Sequence, residues 1–96
     1  MKSIQHMQAH DRPREKLQAK GPAALSDFEL LQALIGSGNK QADVSQIAKN
    51  TLKLLQIHGA DITYKQLEAV TGMGTAKITE ILAALELSRR YLIDSE

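Results

Sequence analysis

The stretch that most constrains this fold is Leu67 to Ile81, LEAVTGMGTAKITEI: an apolar helix end, two glycines one residue apart, and the start of a second apolar helix. Gly72 and Gly74 bracket Met73, and Thr75 stands where a helix beginning near Ala76 takes its N-cap. Glycine adopts positive φ at little cost and carries no Cβ, so a Gly-x-Gly turn can point successive N–H groups outward. The first turn of the following helix adds unpaired N–H groups and the positive end of its dipole. In outline this is an anion site, and nucleic-acid phosphate is an abundant large anion.

The rest of the chain reads as helix. No stretch alternates with a period of two, and apolar residues recur at three-four spacing instead. Hydrophobic residues make up 43% of the 96, yet only Phe28, Tyr64 and Tyr91 are aromatic, so the core is aliphatic and suited to helices. The expected fold is all-α, about five short helices in one domain spanning residues 12–96, behind a flexible polar lead at 1–11. His6, His10 and Asp11 in that lead are read as solvent-exposed side chains, not a metal site. There is no Cys, no apolar leader and no run long enough to span a membrane, so a cytoplasmic protein is expected.

Start and stop signals place the helices. Pro13 sits in the first turn of a short basic helix that carries Arg12, Arg14, Lys16 and Lys20 and ends at Gly21. These cations form either a phosphate-facing arm or a solvated helix face. Ser26 and Glu29 form a capping box opening a second helix, whose Phe28, Leu31 and Ile35 face is buried with Leu30 and Leu34 beside it; Gly36-Ser37-Gly38 stops it. A third helix runs from about Asp43 to Leu55, with His58 near its end and Gly59 as a stop. Thr63 and Gln66 form another capping box, opening a brief helix through Leu67 and Val70 to the glycine turn. Ile78, Ile81, Leu82, Leu85 and Leu92 form the apolar stripe of a long last helix.

Sliding the chain by about 36 residues lays Leu31, Leu34, Gly36 and Gly38 on Leu67, Val70, Gly72 and Gly74. Two related helix-turn-helix units, paired about an approximate two-fold, would then share one core. Ser37 replaces Met73 in the first copy and its second helix starts later, so Gly36 and Gly38 are expected to form a degenerate, secondary phosphate corner.

The pattern Leu67-x-x-Val70-x-Gly72-Met73-Gly74-x-x-Lys77-Ile78-x-x-Ile81 resembles the helix-hairpin-helix motif of DNA-binding proteins, with Thr71 where many members have proline. The resemblance implies that Gly72, Gly74, Thr75 and Ala76 offer N–H groups to a DNA phosphate, that Lys77 adds charge, and that Met73 plugs the turn into the core. Arg12-Pro13-Arg14-Glu15-Lys16-Leu17, Gly21, Ala24 to Leu34, the hairpin and Leu87-Ser88-Arg89-Arg90-Tyr91 together resemble the N-terminal domain of the RadC-like family, long labelled a DNA-repair family. Members usually continue into a metalloprotease-like domain of the JAB/MPN type, which is one implied partner. That domain's H-x-H pair does not occur in this chain.

Two functions follow from these features. The first is a module that binds DNA weakly through backbone phosphates, with Arg12, Arg14 and Lys16 as secondary contacts; a net charge of +1 keeps the affinity low. The second is a protein-interaction or scaffold domain in which the glycine turn only joins helices. No residue pattern points to catalysis, a metal or a cofactor, so an enzyme is not expected.

Overall fold

The computed structural model describes residues 12–93, and the expected lead at 1–11, with His6, His10 and Asp11, lies outside them. Five α-helices are present and no strand occurs among the described residues: α1 Pro13–Lys20, α2 Asp27–Ile35, α3 Val44–His58, α4 Tyr64–Glu68 and α5 Thr75–Ser88. Short 3-10 turns at Pro22–Ala24 and Gly59–Asp61 follow α1 and α3, and a π turn, Arg89–Ile93, continues α5.

Local chemistry accounts for the boundaries. Arg12 is extended and Pro13 opens α1, where its missing N–H is no loss; Gly21, at φ 85°, closes it. Complete capping boxes start α2 (Ser26, Glu29), α3 (Asp43, Gln46) and α4 (Thr63, Gln66), each with a side chain accepting from the third helical N–H. Helix α3 runs three residues past the expected Leu55, to His58, because its first stop signal is Gly59. Helix α4 ends at Glu68, before Val70, whose N–H turns back onto the Leu67 carbonyl.

The core is aliphatic, as the composition requires. Leu31 and Ile35 of α2, Ile47 and Ala48 of α3, Leu67 of α4, Val70 and Met73 of the turn, and Ile78 and Ile81 of α5 form one buried cluster with Ala42 and Ile62. Two expected burials fail. Leu30 and Leu34 sit at the edge, each 36% exposed, since a nine-residue helix packing on α3 covers only one stripe. Leu92 is exposed, because the core ends before the helix does.

Helix α1 is held mainly by polar contacts with α2. Lys16 Nζ reaches Glu29 at 3.0 Å and Arg14 Nε donates to the Ala33 carbonyl at 2.8 Å. The Ser26 backbone N–H, then the Lys16 ammonium, hold the Glu29 carboxyl below the usual carboxylate range. A carboxyl depressed by folding stabilises fully above its unfolded value, and that contribution disappears as pH falls through the lower folded value. Glu29→Gln is therefore expected to reduce the melting temperature at neutral pH and to flatten the acid limb of the stability profile. Thermal melts of both proteins across this range check it; a separation unchanged down to strongly acid pH would refute it.

Candidate nucleic-acid interface

The corner from Gly72 to Lys77 is built by packing on one side and left open on the other. Gly72 lies at φ 87°, and a Cβ there would meet Ile47 Cδ1 at 3.0 Å and Ala42 Cβ at 3.1 Å. Only glycine fits both the conformation and the space. Met73 is buried in the core, with its N–H on the Val70 carbonyl, and so anchors the turn as the motif implies.

Gly74, at φ −96° and ψ 169°, is the N-cap of α5, and its carbonyl accepts from Ile78 N–H at 3.1 Å. This corrects the expected cap: Thr75 is the first helical residue. Its hydroxyl oxygen accepts from Tyr64 Oη at 3.3 Å, and its carbonyl accepts from Thr79 Oγ1 at 2.8 Å. With glycine as the N-cap, no side chain caps this helix. Among the described residues nothing accepts from the N–H groups of Gly74, Thr75, Ala76 or Lys77. A Cβ at Gly74 would meet nothing within 4 Å, so that side of the backbone faces open space. Gly74, Thr75 and Ala76 are exposed; Lys77 is half-buried and makes no ion pair among the described residues. The exposed residues Gly74, Thr75 and Ala76 thus stand at the positive end of α5, with Lys77 next in the chain.

Asn39, which sequence reasoning missed, ties the first loop to this corner. Its side-chain N–H donates to the Gly72 carbonyl at 3.0 Å, while its Oδ1 accepts from the N–H groups of Gln41 at 2.9 Å and Ala42 at 3.3 Å. The visible signal was an Asn inside a Gly/Ser-rich loop, where its side chain commonly bonds nearby backbone. Lys40, exposed, follows directly.

The secondary residues are placed differently. Gly36 has the same positive φ as Gly72, 85° against 87°, so the first glycine of the two hairpins matches. The second does not: a Cβ at Gly38 would lie 2.5 Å from the Ala42 carbonyl oxygen and from Asp43 Cα, so backbone fills the side that is open at Gly74. Leu34 is half-exposed where Val70 is buried, and α3 starts eight residues after Gly36, capped by a carboxylate. The Arg14 guanidinium lies against Gly36, Lys16 is paired with Glu29, and Arg12 is 3.7 Å from Glu15. An open concavity of about 780 Å³ runs along this first loop, and none of its lining residues belongs to the Gly72–Lys77 corner. Among the described residues no group of three or more His, Cys, Asp or Glu could hold a metal ion, and no helix is long and apolar enough to cross a membrane.

Fold and corner together define a small all-α domain whose last hairpin presents the uncapped start of a helix. The chain belongs to the family described as UPF0758 N-terminal, which matches residues 4–79. It is 44% identical over 92 residues to a UPF0758 protein of Idiomarina loihiensis, covering 94% of this chain and 41% of the relative. A UPF0758 protein of Stenotrophomonas maltophilia is 45% identical over 87 residues, covering 85% and 36%, and one of Geobacillus thermodenitrificans 41% identical over 93 residues, covering 91% and 39%. The chain thus spans about two-fifths of the length of the curated relatives it matches. No solved structure matches it.

Proposed function

We propose that this domain is a DNA-binding module that contacts backbone phosphates at the Gly72–Lys77 corner, reads no bases, and serves a RadC-like protein of the cytoplasm. It performs no chemistry of its own. One observation carries this reading: α5 starts without a side-chain cap, and its N–H groups open onto free surface at Gly74, whereas α2, α3 and α4 are each closed by a capping box. A carboxylate cap would repel phosphate and consume the amides; Gly74 does neither. Lys77 supplies the counter-charge. Arg12, Arg14 and Lys16 are already engaged with protein groups, so the contact is narrow. A metalloprotease-like domain in the longer protein would supply any hydrolytic activity.

Titration of labelled duplexes of two unrelated sequences tests this. With one or two phosphate contacts, affinity should fall roughly three- to twelve-fold between about 50 and 200 mM salt, equally for both sequences. Gly74→Ala combined with Lys77→Glu should weaken binding by about tenfold or more, since charge-assisted bonds are lost and a methyl group blocks the approach. Absence of saturable, salt-sensitive binding by the wild type, or equal binding by the folded double variant, would refute the proposal.

A further inference from the structure

We propose that the end of α5, the face carrying Leu87, Tyr91 and Leu92, is the seat on which the remaining three-fifths of a longer UPF0758 protein docks. Helix α5 meets the core through Ile78 and Ile81, which are buried, and Leu82 and Leu85, which are half-buried. Beyond Leu85 the described apolar side chains are exposed. Leu87 is 57% exposed, Tyr91 73% and Leu92 71%. Leu87, in the last turn of α5, and Tyr91, four residues on in the π turn, share a face of the helix, and Leu92 follows Tyr91 directly.

The edge beside them is polar and held in place. Glu86 Oε1 accepts from Arg89 Nη2 at 2.7 Å, and its Oε2 accepts from Arg90 Nε at 2.8 Å. Single exposed leucines are ordinary; an aromatic and two leucines gathered at a helix end inside a charged rim have the composition of an interface centre. Tyrosine suits such a position because its ring can be covered while its hydroxyl stays wet.

The occupant follows from the relatives. This is an N-terminal family, and the chain covers only 41, 36 and 39% of three relatives, so in those proteins most of the chain continues beyond α5. Three side chains are far short of the roughly 1,200–2,000 Å² that stable association of separate proteins buries. A tethered partner needs much less, because linkage gives it an effective concentration of the order of mM. A second copy or a free protein would have no such advantage.

The test joins this chain, in place of the matched region, to the remainder of the Idiomarina loihiensis protein and compares amide exchange with that of the chain alone. Residues 86–93 should exchange about tenfold or more slowly in the joined protein, as a covered helix end does. Leu87→Ser with Tyr91→Ser should abolish that gain, while Ile57→Ser, at a position 73% exposed on α3, should leave it. The native relative, compared with its own N-terminal domain, provides the same measurement over the aligned segment without a chimaera. Equal exchange with and without the remainder, or a gain that survives the double substitution, would overturn the proposal. So would a dimer of the isolated chain that protects this face, which would assign it to a second copy.

Discussion

Gly72→Ala is expected to lower the stability of this domain by about 2–5 kcal/mol, although it adds a single methyl group to a turn. Two penalties combine. A residue with a Cβ loses roughly 1–2 kcal/mol in the left-handed region, where Gly72 lies at φ 87°. The methyl must also enter a space 3.0 Å from Ile47 Cδ1 and 3.1 Å from Ala42 Cβ, and overpacking of this kind typically costs about 1–3 kcal/mol. Gly74→Ala, two residues away, adds the same methyl at φ −96° with nothing within 4 Å. It should cost no more than about 1 kcal/mol, the difference between glycine and alanine at an N-cap. For a domain of this size each kcal/mol shifts the melting temperature by roughly 4–8 °C, so thermal melts separate the two variants clearly. Equal losses would mean that the turn is not locked by packing at Gly72. The contrast also bears on function, because it leaves Gly74 as the glycine whose small size the fold itself does not demand.

That division between the two glycines lies at the limit of what the sequence makes legible. Helix starts were readable wherever a short polar residue sits three before Glu or Gln: Ser26 with Glu29 and Thr63 with Gln66 close capping boxes as expected. Asp43 with Gln46 carries the same signal and is the true start of α3. Thr75 misled for the opposite reason. A hydroxyl residue before an apolar run has the composition of a cap, but Met73, drawn into the core, sets the path so that Gly74 already has cap geometry. The side chain of Thr75 then pairs with Tyr64, eleven residues back, and no local pattern announces that contact.

The cations show the same limit. Arg12, Arg14 and Lys16 read from the sequence as either a phosphate-facing arm or a solvated helix face; Arg12 pairs locally with Glu15, but the partners of Arg14 and Lys16 lie elsewhere in the chain. Lys16 meets Glu29 and Arg14 meets Ala33, thirteen and nineteen residues on. Asn39 bonds to Gly72 across thirty-three residues. Periodicity identifies which face of a helix is apolar; it does not say how far along the helix a neighbour covers it. For that reason the stripe through Leu82 and Leu85 was legible, while its end short of Leu92 was not.

Ile47→Ala is expected to have the other large effect, about 2–5 kcal/mol, because Ile47 is fully buried and its removal leaves a cavity at the junction of α3 with the hairpin. Its Cδ1 and Cγ1 are the atoms that a methyl on residue 72 would strike, so the two positions should not behave independently. The milder Ile47→Val removes Cδ1 and should cost about 0.5–1.5 kcal/mol alone. Placed together with Gly72→Ala, it should cost less than the sum of the two, with a coupling of the order of 1 kcal/mol, since neighbours in contact commonly couple by about 0.5–3 kcal/mol. Relief stays incomplete, because Ala42 Cβ and the left-handed backbone are untouched. Leu25→Ala is the control: Leu25 is buried but lies outside the main cluster, so its loss should add to that of Gly72→Ala within about 0.5 kcal/mol. Urea denaturation of the four proteins of the Ile47→Val cycle measures the coupling. A value near zero would show that the hairpin yields at Gly72 instead of pressing on Ile47, and an exposed row of amides on a yielding turn would be poorly preorganised to hold a phosphate.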